Sequence, residues 1–382
     1  MNSAFLKDSS IKVPVKKEFI PLARPDIRDE DIALVNEVLR SGMLVQGEYV
    51  LKLEEAFANY HKVKNAIAVS NGTATLHLCL KALGIGRGDE VILPAFSYIA
   101  TANVIELVEA TPVFIDIDDK TFNIDTSLIE KKITDKTKAI IPVHEFGLAC
   151  DIAKVSAIAA RYNIPVIEDA ACALGAKQND RLVGTYGIGS FSLHPRKSIT
   201  SGEGGVVLTN DDSLAAKLRQ LRNHGISMEH GEMDFVEAGF NYRMTDFQAA
   251  LAYSQFQRLN AILEWKHHLA DLYFSSIGNA KIHLPFIPPG RYHTWQTFHL
   301  LLDDSLNQKK IIELLKKEGI GTNYGAQCIP AQTYYFNKYR LETGKLFPNA
   351  LIAYKQGLAI PMYERLTEEH IKHIAKTINT LC

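Results

Sequence analysis

Two apolar runs in the middle of this chain end in a carboxylate and a lysine, and together those groups suggest imine chemistry. Lys197 lies in FSLHPRKSITSGEGG (Phe191 to Gly205), after a strand-like stretch and before a Glu-Gly-Gly turn. Asp169 ends the run IPVIED (Ile164 to Asp169), 28 positions earlier. A lysine amine condenses with an aldehyde and a carboxylate keeps a pyridine nitrogen protonated, the two services that pyridoxal phosphate requires of a protein. Most lysines are solvated surface charges and strand ends commonly carry acidic caps, so neither residue decides the matter alone.

The residues around them point the same way. Asn71, Gly72, Thr73 and Ala74 follow the run AIAVS and open a helical pattern. Free N–H groups at a helix start, with a glycine for close approach and a hydroxyl as a further donor, make a phosphate site. Ser192, at the end of another apolar run, is placed to donate to the same phosphate. Tyr98, in PAFSYIATAN, is a candidate to stack on a ring. Asn241, in GFNYRMTDFQAA, is a loop amide able to reach a phosphate. His194, Arg243 and Tyr324 are candidates for substrate contacts. The bland alternatives are a capped turn, a core aromatic and an ordinary loop amide. Glycine clusters at Gly84 to Gly88 and Gly184 to Gly189 do not form GxGxxG between a strand and a helix. HExxH, GxSxG and the Walker lysine loop are absent, and no metal site is expected.

Elements that would position these groups are legible as alternating patterns. Ala66 to Ser70, Val91 to Leu93, Val113 to Ile115, Ala139 to Val143, Val166 to Ile167, Ser190 to Leu193 and Val206 to Leu208 read as strands. Amphipathic segments at Thr73 to Leu83, Ile99 to Glu109 and Ile152 to Tyr162 read as helices between them. Near-continuous apolar strands separated by helices predict an α/β fold whose mostly parallel sheet is covered on both faces. Ligands of such sheets bind at the carboxyl ends of the strands, where the polar motifs fall. Beyond Thr245 the pattern predicts one long helix over Asp246 to Ile277 and a Pro-rich connection. A strand at Thr297 to Leu302 and helices at Leu306 to Glu318 and Glu368 to Leu381 follow, forming a smaller α/β unit. A helix at Asp26 to Arg40 is expected to pack on that unit or on a partner subunit. The expected division is an N-terminal segment and helix (1–40), a large cofactor-binding domain (41–250), and a long helix with a small C-terminal domain (251–382).

Composition narrows the partners. The 382 residues carry 42 basic and 43 acidic side chains, a formal charge of −1, so no strong field draws the chain to nucleic acid or an anionic membrane. Phosphate must therefore be held by local groups. The five cysteines are scattered without a CxxC pair, which suggests neither a disulfide framework nor a zinc knuckle and fits a reducing cytoplasm. No run approaches the ~20 apolar residues of a membrane span, and the first residues lack the apolar core of a secretory leader.

NGTATLHLCLKALGI, PAFSYIATANVI, VIEDAACALGA, FSLHPRKSITSGEGGVVLTND and NYRMTDFQAA resemble, in order and spacing, the DegT/StrS-type sugar aminotransferases. The resemblance runs from about Pro21 to the C-terminus. It implies a fold-type I aminotransferase with a seven-stranded, mostly parallel sheet in its large domain. It also implies a smaller C-terminal domain and a homodimer with shared sites. By the same resemblance Lys197 is the imine-forming lysine and Asp169 the ring-nitrogen partner. Tyr98 matches the stacking aromatic, Thr73, Ala74 and Ser192 the phosphate cradle, and Asn241 a phosphate contact from the neighbouring subunit. Cys172 departs from the pattern, standing where many members have Gln or His against the hydroxyl side of the cofactor ring. A second departure, NYGAQCIPAQTYY (Asn323 to Tyr335), replaces a Tyr-Pro-Leu-His-like stretch near the sugar.

The reaction this implies is transfer of an amino group from an amino acid, in this family usually glutamate, to a ketone on a nucleotide-linked deoxysugar. Products of that kind feed surface polysaccharides or glycosylated metabolites. Alternatives are a cyclitol ketone as acceptor, a dehydratase of the same family, which typically has His in place of the lysine, and a binding protein with a degenerate site.

Overall fold

The computed structural model describes residues 19–228 and 231–382; the segment read for a leader lies outside them. Seven strands build the main sheet: β1 (Asn65–Val69), β2 (Glu90–Pro94), β3 (Thr111–Ile115), β4 (Thr137–Ile140), β5 (Ile167–Asp169), β6 (Ile188–Ser192) and β7 (Gly205–Thr209). β1, β7, β6 and β5 form one block and β4, β2 and β3 another. Parallel bridges Ile140 to Val166 and Val143 to Asp169 join the blocks. β7 is antiparallel to both of its neighbours, while β5 with β6 and β2 with β3 and β4 are parallel. The expected mostly parallel sheet of a fold-type I aminotransferase is therefore present, and all seven strands coincide with the apolar runs.

The alternation of side chains across β1 shows why those runs are apolar throughout. Ile67 and Val69 face helices α3 (Gly72–Ala82) and α6 (Asp212–Arg222), whereas Ala66 and Ala68 face α2 (Glu48–His61) and α7 (Asp246–Phe256). Farther along the sheet, Ile92 and Ile140 pack on α5 (Ile152–Arg161). Both faces are covered, so no strand position can be polar without cost. Full burial of side chains such as Leu53 and Phe57 is worth about 2 kcal/mol each.

A second cluster surrounds the antiparallel strands β8 (Ile282–His283), β9 (Phe298–Leu302) and β10 (Gly357–Ile360), with β9 in the middle. Helices α8 (Leu259–Ser276), α9 (Gln308–Lys317) and α10 (Glu368–Leu381) supply the rest of that core. The long helix expected from Asp246 to Ile277 is in fact α7 and α8, with a break at Gln257 and Arg258. Arg258 is anchored there by two 2.8 Å hydrogen bonds to the fully buried Asp31 and one to the Asp26 carbonyl. That tertiary tie redirects the chain where apolar periodicity runs on unchanged. It also fixes α1 (Asp29–Ser41), which lies along α7. α1 begins three residues later than expected because the Asp26 carboxylate is taken by Arg28 and Arg365. No helix among the described residues is long and apolar enough to cross a membrane.

Candidate active site

The carboxyl ends of β1, β2, β4, β5 and β6 open onto one cavity of about 780 Å³. Gly72, Thr73, Ala74, Tyr98, Asp169, Cys172, Ser192, His194 and Lys197 all line it. Residues drawn from separate motifs over more than a hundred positions thus converge on one space, as strand-end ligand sites require.

At one end is the start of α3. Its first N–H groups, at Gly72 and Thr73, have no preceding helical turn to bond. The Ala74 N–H is already used by the Asn71 side chain, which caps the helix at 2.8 Å. A Cβ at position 72 would stand 2.6 Å from Ser192 Cβ and 2.8 Å from its Oγ, so glycine is what lets the serine hydroxyl meet the helix start.

Asp169 sits deeper, at the end of β5. Its Oδ2 accepts from Thr101 Oγ1 at 2.8 Å and its Oδ1 from the Ala171 N–H at 3.2 Å. Burial pushes its acid above the ordinary aspartate value, against the pull of those two donors and of the Lys197 charge. Such a carboxylate gains from a cationic partner. Lys197 follows β6 in a turn closed by its own N–H on the His194 carbonyl at 2.8 Å. Its Nζ donates to Cys172 Sγ at 3.1 Å, and burial pushes the Cys172 thiol up. His194 is held below its usual value, mainly by burial. Tyr98, 66% exposed, stands at the mouth.

Helix-start donors beside a hydroxyl, a buried carboxylate short of a positive partner, and a half-buried lysine suit the phosphate, ring nitrogen and aldehyde of pyridoxal phosphate in turn. Three other expected residues lie outside this cavity. Asn241 is exposed, with its backbone bridged to Asn223. The Arg243 guanidinium donates to the Asn223 side chain. Tyr324 lines an adjoining recess, which Tyr98 also borders.

Among the cavity residues that the sequence reading passed over, two carry groups that bear on its chemistry. Thr101, in the first turn of α4 (Ala100–Leu107), looked like an ordinary helix position. Glu145, in VHEFG after β4, carried the same signal as Asp169, an acid just past an apolar strand, yet was passed over.

Comparison with known proteins agrees with this chemistry. The DegT/DnrJ/EryC1/StrS aminotransferase family matches residues 25–379. The protein MJ1066 of Methanocaldococcus jannaschii, itself uncharacterized, is 36% identical over 381 residues, covering 96% of this chain and 98% of that one. Spr1654 of Streptococcus pneumoniae, described as a sugar aminotransferase and solved in PLP and PMP forms, is 29% identical. In its PMP form it aligns with a TM-score of 0.90 over 95% of this chain and 97% of its own. PseC of Helicobacter pylori, an aminotransferase of pseudoaminic acid biosynthesis, aligns with a TM-score of 0.90 at 27% identity over 95% and 99%. A family match that spans nearly the whole chain, over a cavity whose residues suit the cofactor in the PLP and PMP forms of Spr1654, makes this protein a pyridoxal phosphate-dependent member of the DegT/DnrJ/EryC1/StrS family of sugar aminotransferases.

Proposed function

We propose that this chain moves an amino group from an amino acid, glutamate first among candidates, to a keto group of a nucleotide-linked deoxysugar. The observation that carries the reading is the pairing of the Lys197 and Asp169 cavity with a second recess of about 640 Å³ at its mouth. Tyr98, Tyr324, Tyr334 and Tyr335 line that recess, and Gln327 contributes an Oε1 that is buried without a hydrogen-bond partner. Aromatic faces with a few unused polar atoms suit a base and a sugar better than a small keto acid.

Bound pyridoxal phosphate supplies the electron sink that makes the donor's α-proton removable. Everything else falls to the protein. The start of α3 and Ser192 would hold the phosphate end. Asp169 keeps the ring nitrogen protonated, and its own orientation is fixed by Thr101. Tyr98, lining the cavity and largely exposed, would shield the cofactor from solvent. Lys197 Nζ takes the proton from the amino-bearing carbon of the donor and returns one when the acceptor is aminated, as a general base and then a general acid.

A homodimer belongs to this proposal. Asn241 is exposed on its own subunit, as a contact to a partner's phosphate site would require, and Met43, Leu44, Val45 and Leu51 are exposed apolar side chains of the sort that interfaces cover. A solution mass of one chain for the active enzyme would remove this part. Unpaired cysteines support a reducing, cytoplasmic setting.

Incubation with glutamate and a panel of nucleotide-linked 3-keto and 4-keto sugars, read by mass, should yield one aminated product, and Lys197→Ala should yield none. Amination of cyclitol ketones in place of every nucleotide sugar would overturn the acceptor while leaving the transamination intact.

A further inference from the structure

The turn after β4 sets a carboxylic acid in the wall of the cofactor cavity with one oxygen buried and unused. Glu145 opens the single turn Glu145–Gly147, and that turn is held from several sides. The Glu145 N–H donates to Asn123 Oδ1 at 2.9 Å, and its carbonyl accepts from the Leu148 N–H at 2.9 Å. Phe146 adopts φ +58°, takes the Thr297 N–H on its carbonyl and stacks on His299 at 4.2 Å between ring centroids. The Gly147 carbonyl accepts from the Thr294 N–H at 2.9 Å. A bulky residue in the left-handed region persists only where its surroundings over-determine it, so the backbone course of the turn that carries Glu145 is imposed. That side chain lines the cavity, the residue is 4% exposed, and its Oε2 has no hydrogen-bond partner.

Asp169 from β5, Cys172 from the loop beyond it and Lys197 from the β6 to β7 connection act on this carboxyl from the cofactor cavity, and Lys120, His293 and His299 share a second, smaller cleft with the residue. Burial, then the Asp169 charge, push the Glu145 acid up to about 8, while Lys197, the Phe146 N–H and the Ser97 hydroxyl pull it down. His299, behind Phe146, is kept neutral by burial, pushed down to about 3. At neutral pH Glu145 therefore offers an O–H donor.

Pyridoxal phosphate has four polar features: the phosphate, the ring nitrogen, the aldehyde, and a ring hydroxyl on the carbon next to the one bearing the aldehyde. The first three are answered by α3 with Ser192, by Asp169 and by Lys197. The hydroxyl must lie beside whatever Lys197 reaches, and the neighbour of Lys197 Nζ is the thiol of Cys172, a weak donor and weak acceptor. We propose that Glu145 is a positioning residue for the cofactor, its free carboxyl oxygen being the hydrogen-bonding partner of the ring hydroxyl that Cys172 serves poorly. The inference rests on the placement of the cofactor against Lys197 and Asp169.

The test is titration of cofactor-free protein with pyridoxal phosphate, followed by absorbance across pH 6 to about 9. Glu145→Leu should weaken binding by roughly five- to tenfold, a tenfold change being about 1.4 kcal/mol. Adding Cys172→Gln to that variant should restore much of the loss, because an amide replaces the missing donor. Glu145→Gln still donates and should bind within about threefold of the parent, yet its affinity and absorbance should lose the pH response that ionisation of Glu145 confers. Unchanged affinity in Glu145→Leu overturns the proposal. If Glu145→Leu fails to fold by circular dichroism, the Glu145→Gln comparison decides alone, and a pH profile identical to the parent's overturns the proposal. Asp169→Asn and Lys197→Ala in the same titration separate the two levels. Should neither alter binding or absorbance, the cofactor placement is at fault; should both act while the Glu145 variants do not, only the role of Glu145 falls.

Discussion

Glu168 and Asp169 are consecutive residues on β5, both buried, and their carboxylates live in opposite circumstances. Glu168 points away from the cavity into a cluster that saturates it. Its Oε2 accepts from His144 Nε2 at 3.1 Å and the Gly184 N–H at 2.7 Å, and its Oε1 from the N–H groups of Tyr186 and Gly187 at 2.7 and 2.8 Å. Because His144 Nδ1 accepts the Cys150 N–H, the proton must sit on Nε2, facing Glu168. Four donors leave that carboxylate with nothing to offer a ligand. Asp169 has two donors and a face on open space. Burial and charge therefore do not by themselves mark a functional acid; unused hydrogen-bonding capacity beside a cavity does, and Glu145 meets that criterion as Asp169 does.

The sharpest way to break the comparison is to neutralise each acid in turn. Asp169→Asn keeps the side-chain shape and should lower turnover by roughly 100-fold or more, since ring protonation depends on the charge and one pKa unit is about 1.4 kcal/mol. Near-parental rates by steady-state assay would erase the distinction. Glu168→Gln should do the reverse. Its NH₂ would face backbone donors, costing about 3 kcal/mol of stability by urea denaturation. The rate per folded molecule should change far less than in Asp169→Asn.

The last test reads a slope against pH. In the cofactor-free protein Glu145 is protonated when folded up to about pH 8 and ionised when unfolded above its ordinary value of 4.5. Folding then takes up a proton, so the contribution is complete below pH 4.5 and is lost as pH rises through 8. The limiting slope is about 1.4 kcal/mol per pH unit. Glu145→Gln should flatten the fall in denaturation midpoint between pH 5 and 8 relative to the parent. Equal slopes would mean that the acid is ionised at neutral pH and sits in a wetter place than its burial suggests.

The amino-acid sequence alone determined the strands, the helix Glu368–Leu381 and the pairing of lysine with aspartate. Those signals are local: a strand covered on both faces must be apolar along its length, and a helix must repeat every 3.6 residues. Tertiary structure decided what depends on partners distant in sequence. The break between α7 and α8 follows from Arg258 reaching Asp31, 227 positions away. Thr101 became the prop of Asp169 across 68 positions. Which of two adjacent acids looks into the cavity follows from strand geometry, since successive side chains leave a strand on opposite faces, and only the packed sheet says which face is filled by turns and which is left open. Glu145 shows the same division most clearly: its place after an apolar run was visible, but the absence of a partner for its Oε2 is a property of the space around it, which no stretch of sequence contains.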